Sequence, residues 1–379
     1  MQIRQIALES LDETAFVSLR EIDPQLVLLF GSVKVLGGDD AFACLAAAVP
    51  SATLAGCSTA GEISGDGVSE GGLVATAIRF DGTRHRVADV ALETMKDSRA
   101  AGVALGELLR APDLTAILLF GKGVDVNGSA IIEGLTSVVG AHVPISGGLA
   151  GDDGAFKETL TLTPSGIHRD RLVGIGLYGD RVRVEHASFG GWAPFGPARK
   201  VTRAEGNVLL ELDGRPALEL YRQYLGEYAK DLPASGLLFP FEMLDHEKTS
   251  IGLIRTILGI DEARGALVLA GDIDEEGFLR LMHASRENLV DGAETAAKRV
   301  KAALGVQTAE GLAVLVSCVG RKLVMGDAVE DEVEAVTATL GKRVATTGFY
   351  SYGEIAPFSS TTDCKLHNQT MTVTFIGEA

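Results

Sequence analysis

The sequence predicts an α+β fold in which strand-helix-strand units recur and mixed sheets pack on one another with helices outside, a four-layer αββα arrangement with internal pseudo-symmetry. Two observations carry this expectation. A glycine-turn segment occurs twice, as Gly56-Cys57-Ser58-Thr59-Ala60-Gly61-Glu62-Ile63 and as Gly348-Phe349-Tyr350-Ser351-Tyr352-Gly353-Glu354-Ile355, each after an apolar run, a helix-like stretch and a short returning apolar segment. A third, more worn copy lies between them. There Ala116-Ile117-Leu118-Leu119-Phe120-Gly121 repeats the Phe-Gly ending of the run 26–31. Ser146-Gly147-Gly148-Leu149-Ala150-Gly151-Asp152 follows at the same 25-residue step that separates Gly31 from Gly56, which puts Asp152 where Glu62 stands. Units with one main helix each cannot cover both faces of an isolated sheet, so the sheets are expected to pack together. A three-layer α/β/α sheet is the alternative that the βαβ pieces permit.

Element by element, residues 26–31 form the first strand, and Asp39-Asp40 opens an alanine-rich helix through about Val49. Residues 71–80, 114–120 and 171–178 read as strands, and Asn127 caps a helix before Ile131-Ile132-Glu133-Gly134-Leu135. The alternation Thr159-Leu160-Thr161-Leu162-Thr163 meets Pro164-Ser165-Gly166, a strand followed by a turn. Glycines and prolines at 186–198 surround the only tryptophan, a crossover loop packed by Phe189, Trp192 and Phe195. Beyond it, Leu218–Leu225 reads as a short helix, 251–258 and 265–270 as strands, and the third unit occupies roughly 311–377. The composition change after Gly179 divides the chain economically into domains 1–180 and 181–379.

Bulk properties narrow the function class. With 379 residues and 46% hydrophobic content, the chain can bury two sizeable cores. A net charge of −17 repels phosphates, against nonspecific nucleic-acid binding and anionic membrane surfaces. No window reaches 18 continuous apolar residues, and Met1–Leu8 is interrupted by polar residues, so neither membrane insertion nor a secretion signal is expected. Cys44, Cys57, Cys318 and Cys364 are widely spaced and read as reduced thiols of a cytoplasmic protein.

The glycine turns present polar and acidic side chains at strand ends, a favoured place for ligand contacts. The candidate ligand-binding residues are Cys57, Ser58, Thr59, Glu62, Ser146, Asp152, Ser351, Tyr352 and Glu354, with Glu62 and Glu354 expected to face one cleft between domains or layers. Such a pocket suits a ligand with an amine or several hydrogen-bond donors. The alternative is that each acid locks its own turn. An enzyme using the glycine-turn cleft is a further alternative, but Ser58 lies in Gly-Cys-Ser-Thr-Ala-Gly rather than Gly-x-Ser-x-Gly, and no catalytic residue is assigned.

These turns, with Gly191-Trp192-Ala193-Pro194-Phe195-Gly196-Pro197, Val201–Asn207, Glu211-Leu212-Asp213-Gly214-Arg215-Pro216-Ala217 and Leu366-His367-Asn368-Gln369-Thr370, give a pattern that resembles the FIST family (F-box and intracellular signal transduction) along nearly the whole chain. The resemblance implies a sensory module for small ligands such as amino acids in bacterial signal transduction. With both FIST domains counted, no room remains for an output domain, so the signal would pass through another protein. Some members resemble heme-carrying nitric-oxide sensors that regulate a partner histidine kinase, and a homodimer is a further expectation. Were heme held here, His367 is the first candidate for its metal, His186 the second, and the Trp192 loop would lie beside it. Each histidine could instead anchor a strand end through a backbone carbonyl.

Overall fold

One topology, β-α-β-α-β followed by a hairpin and a closing strand, is repeated three times in the computed structural model, which describes residues 1–11, 14–305, 310–357 and 363–379. The first unit comprises β1 (Gln2–Leu8), α1 (Val17–Arg20), β2 (Leu26–Gly31), α2 (Val33–Leu36), α3 (Ala41–Ala48), β3 (Thr53–Ser58), the hairpin β4 (Glu62–Ser64) and β5 (Gly67–Ser69), and β6 (Leu73–Arg79). The second comprises β7 (Arg84–Ala91), α4 (Ser98–Leu109), β8 (Leu114–Gly121), α5 (Gly128–Val139), β9 (Ile145–Leu149), the hairpin β10 (Thr161–Thr163) and β11 (Gly166–His168), and β12 (Arg171–Tyr178).

The third unit begins with β13 (Val182–Phe189) and is then interrupted. The insertion holds β14 (Ala193–Pro194), β15 (Arg199–Glu205), β16 (Val208–Leu212), β17 (Arg215–Pro216), α6 (Ala217–Leu225), β18 (Phe241–Leu244), β19 (Ser250–Arg255), β20 (Ile257–Asp261), β21 (Ala266–Leu269) and β22 (Phe278–His283). The unit resumes with α7 (Arg286–Leu304), β23 (Gly311–Cys318), α8 (Val319–Met325), α9 (Val329–Leu340), β24 (Val344–Ser351), the hairpin β25 (Gly353–Pro357) and β26 (Cys364–His367), and β27 (Met371–Glu378).

No unit completes its own sheet. The orders are β1-β6-β2-β3-β10-β11, β7-β12-β8-β9-β25-β26 and β13-β27-β23-β24-β4-β5, so each six-stranded sheet takes its last two strands from another unit's hairpin, and the exchange closes into a ring. Among the described residues only the pairs β2/β3, β8/β9 and β23/β24 are parallel in these sheets. Strand alternation then sorts the side chains. Leu26, Leu28 and Phe30 of β2 join Leu118, Phe120, Val314, Val316 and Phe349 in a core without helix residues, whereas Val27 and Leu29 pack under α1–α3. At the centre, Phe30 stacks on Phe349 at 4.8 Å and meets Phe120 edge-on at 5.4 Å. The outer faces of the other two sheets carry α4, α5, α7 and α9. The fold is therefore mixed α+β, with sheets inside and helices outside.

The predicted strands 26–31 and 171–178 coincide with β2 and β12. The predicted strand 251–258 is broken at Thr256 into β19 and β20, which stand at opposite edges of the inserted sheet. A single linking residue can join the two edges only because the sheet curls round on itself. The third copy's register is also corrected. Gly56, Gly147 and Gly348 occupy equivalent places, where an added Cβ would lie 1.8, 2.0 and 1.8 Å from the carbonyl oxygens of Leu29, Leu119 and Leu315. Equal spacing put Ser146 at that place. The close strand approach requires Gly147 there, and the place of Glu62 and Glu354, opposite the residue that follows such a glycine, falls to Thr161 opposite Cys57, so Asp152 does not hold it. Phe195 does not pack into the tryptophan loop: it is 41% exposed and meets His283 edge-on. Among the described residues no helix is long and apolar enough to cross a membrane.

Candidate functional site

Each glycine turn carries the chain out of one sheet into the next, leaving backbone groups to be satisfied at the crossing. Glu62 is fully buried and accepts from Thr59 Oγ1 at 2.6 Å, Gly72 N at 3.2 Å and Ser69 Oγ at 3.3 Å. Glu354, equally buried, accepts from Ser351 Oγ at 2.8 Å and from Thr370 N and Oγ1, both at 3.0 Å. Asp152 accepts from the backbone N–H groups of Phe156, Lys157 and Glu158 at 2.8–2.9 Å and from the Tyr352 hydroxyl. The expected pocket shared by Glu62 and Glu354 is thus corrected. The two carboxylates lie in different sheets, and their oxygens are occupied by separate donors, those of Glu62 by its own turn and hairpin and those of Glu354 by Ser351 and by Thr370 at the entry to β27.

The other turn residues join units rather than frame a pocket. Ser58 Oγ donates to the Gly151 carbonyl at 2.7 Å and accepts from Leu160 N at 2.8 Å. Ser146 is buried in β9 beside Leu118. Cys57 lies in the central core, where burial pushes its thiol well above the ordinary range, unsuited to nucleophilic attack. Of the predicted set, Tyr352 lines a cavity, with its ring stacked on Phe156 at 4.1 Å.

That cavity lies where the inserted sheet meets the ring. One pocket of about 460 Å³ is bounded by Ser129, Ile132 and Thr136 of α5, by Cys364 and Leu366 of β26, and by Ile251, Leu253 and Arg255 of β19. An adjoining pocket of about 60 Å³ is lined by Tyr352, Leu366, Asn368, Asn127 and Asn207. Local bonding fixes the walls. Asn127 Oδ1 caps α5 by accepting from Ala130 N at 3.0 Å, and Asn207 Nδ2 donates to the Leu269 carbonyl at 2.9 Å. Asn368 is 1% exposed, and its Oδ1 has no hydrogen-bond partner among the described residues. Volume and lining suit a small molecule. The sequence reading placed Asn368 within a family motif but missed Arg255. Its signal was a lone arginine inside the apolar run Ile251–Leu258.

Heme needs an apolar slot facing an axial ligand. His367 donates from Nε2 to the Ala356 carbonyl at 2.8 Å, so it anchors a strand. His186 is 3% exposed on β13 opposite Thr374, and neither histidine lines the cleft. Trp192 Nε1 donates to the Gln369 carbonyl at 2.8 Å. These residues do not fit heme, and among the described residues no group of three or more His, Cys, Asp or Glu side chains could hold a metal ion.

The buried acids and histidines set opposing pH dependences. Burial, against the lowering effect of accepted hydrogen bonds, pushes Glu62 and Glu354 up to about 7, and burial pulls His186 and His367 down to about 4. Stability from the glutamates is present below their ordinary 4.5 and lost as pH rises through 7. Stability from the histidines is present above 6.5 and lost as pH falls through 4. Each displacement is worth about 3 kcal/mol, so between about pH 4.5 and 6.5 the two pairs cancel. Glu354→Gln removes one opposing group, and urea unfolding is expected to show stability rising by about 3 kcal/mol across that window. A variant profile parallel to that of the parent would show that Glu354 does not titrate there.

Three units exchanging hairpins around a strand core, with a cleft against an inserted sheet, define a repeated α+β scaffold. The chain belongs to the FIST family: the FIST N domain matches residues 25–215 and the FIST C domain residues 217–357. It is 27% identical over 270 residues to an uncharacterized protein of Methanocaldococcus jannaschii, covering 64% of this chain and 50% of the relative. It is 31% identical over 230 residues to an uncharacterized protein of Mycobacterium tuberculosis, covering 59% and 56%. The chain thus spans about half the length of these curated relatives. Two cyanuric acid hydrolase structures, the first from A. caulinodans, align over 100% of this chain and 98% and 99% of theirs, at TM-scores of 0.38 and 0.31 and identities of 9% and 10%. Similarity at that level establishes no common fold.

Proposed function

We propose that this FIST protein is a cytoplasmic sensory module that holds a small polar ligand in the cleft between the inserted sheet and the ring, and signals through a separate partner. FIST domains are signalling modules, which supports a sensory role. The observation that carries the cleft assignment is the roughly 460 Å³ cavity, which joins parts of the chain on both sides of the proposed division near residue 180. Tyr352 and Asn368 are the turn and motif residues that line the adjoining pocket of about 60 Å³. A ligand there would bridge α5 and β19, making the fit of insertion to ring depend on occupancy. In packing terms we read the strand core with outer helices as helix-sheet-sheet-helix rather than three-layer α/β/α. A histidine kinase is the proposed transducer, and a homodimer the proposed assembly.

Ile251 is 39% exposed and lines the cleft, so Ile251→Trp should fill it without disturbing the core. Titration calorimetry with the twenty amino acids and their amides is expected to show at least one ligand whose binding Ile251→Trp abolishes, while the variant melts like the parent. Binding undisturbed by the tryptophan, or none by any probe, would sink the cleft assignment. Unchanged autophosphorylation of a cognate kinase with and without the bound probe would sink the partnership.

A further inference from the structure

Resting on the cleft reading, we propose that Arg255 is the anion-recognising residue of this site and that the ligand is a small monocarboxylate with an apolar body.

Arg255 is 4% exposed, at the end of edge strand β19. Its Nε donates to the Asp272 carbonyl at 3.1 Å, and its Nη1 donates to the carbonyls of Ile254 and Leu366 at 3.2 and 3.3 Å. Among the described residues Nη2 makes no hydrogen bond and no carboxylate lies within ion-pair distance. Arg321, equally deep, contrasts with it: its charge is met by Glu332 at 2.7 Å. A buried guanidinium held only by neutral carbonyls keeps most of its desolvation cost, and an anion entering from the cleft offsets it. Burial pulls Arg255 down to about 10, and the Asp272 carboxylate, beyond ion-pair distance, offsets only part of that pull. The planar fork matches a carboxylate.

The surroundings restrict the rest of the ligand. Ser129, in the first turn of the twelve-residue helix α5, lines the same pocket and brings a hydroxyl to its wall. Ile132 and Val143 on one wall face Ile251 and Leu253 on the other, a slot for an apolar body. Glu133, Asp272 and Asp363 are exposed carboxylates at the rim against a single Lys365, which disfavours a second negative charge. The unpartnered Asn368 Oδ1 in the adjoining pocket accepts a hydrogen bond from any donor the ligand carries.

Calorimetry on the full chain would compare isovalerate and leucine with isovaleramide, leucinamide and glutarate. Isovalerate, leucine or both are expected to bind, with the amides and glutarate weaker by roughly 10-fold or more. Arg255→Lys keeps the charge but loses the fork and should weaken the acids by roughly 10-fold while leaving the amides unchanged. Binding by isovalerate alone would mark a simple acid as the source, and binding by leucine alone an amino acid. Both outcomes support the assignment. Amides that bind as tightly as the acids, or acid affinity unchanged in both Arg255→Lys and Arg255→Gln, overturn the role of Arg255 while the cleft survives. If Ile251→Trp fails to block the acids, or no probe binds, the cleft reading falls together with this one. Thermal melts of each variant separate lost binding from lost fold.

Discussion

Replacing Glu332 with alanine is expected to destabilise the protein by about 3–5 kcal/mol, the cost of leaving a buried charge without its partner. Arg321 and Glu332 are both 0% exposed and meet through Nη2 at 2.7 Å and Nε at 3.1 Å. The second carboxylate oxygen accepts from Ser317 Oγ at 2.8 Å and from the Tyr350 hydroxyl at 2.7 Å. Arg321 also donates to the Leu289 carbonyl at 2.8 Å and to that of Gly190. The pair therefore ties α8 and α9 to α7, to β23 and β24, and to the start of the insertion. Since the single variant strands the guanidinium, the apolar double variant Arg321→Met/Glu332→Leu should lose much less. Urea unfolding of the three chains decides the matter. Equal losses in the single and double variants would show that the hydrogen-bond network, rather than the unpaired charge, dominates.

Gly348→Ala is expected to cost about 3 kcal/mol or more, at or beyond the upper end of ordinary overpacking. Its new methyl would stand 1.8 Å from the Leu315 carbonyl oxygen, a backbone atom in the adjacent parallel strand that no rotamer change moves. The pair β23/β24 must then separate, and β24 is also the strand on which the first unit's hairpin docks. Damage should pass from the third unit to the first, so the loss should appear as a lower midpoint of one cooperative transition. Gly65→Ala is the control, because a methyl there meets only the Gln5 side-chain oxygen, at 3.7 Å. If the two variants melt alike, the close strand approach is not a constraint.

Much of this architecture was legible in the chain because its signals are local. Continuous apolar runs mark β2, β8 and β12, since a strand buried on both faces needs no polar alternation. Asn127 announced the start of α5 by the chemistry of its side chain. The repeated glycine turn announced a repeated unit, because glycine alone fits where two strands run so close.

The sequence by itself thus determined the repeat and the α+β class. The tertiary structure alone decided how the copies are joined. Hairpin exchange pairs Glu62 with Phe349, residues far apart in the chain, and a three-residue strand such as β4 carries too little pattern to name that partner. The same distance hid the site. Glu62 and Glu354 looked exposed to a ligand because an acid beside glycine is as fit to bind as to lock, and only the donors folded around each carboxylate assign it to its turn. Arg255 looked like one charge in an apolar strand. Its place at the cleft depends on β26, more than a hundred residues further on, whose Leu366 carbonyl holds the guanidinium beside the cavity.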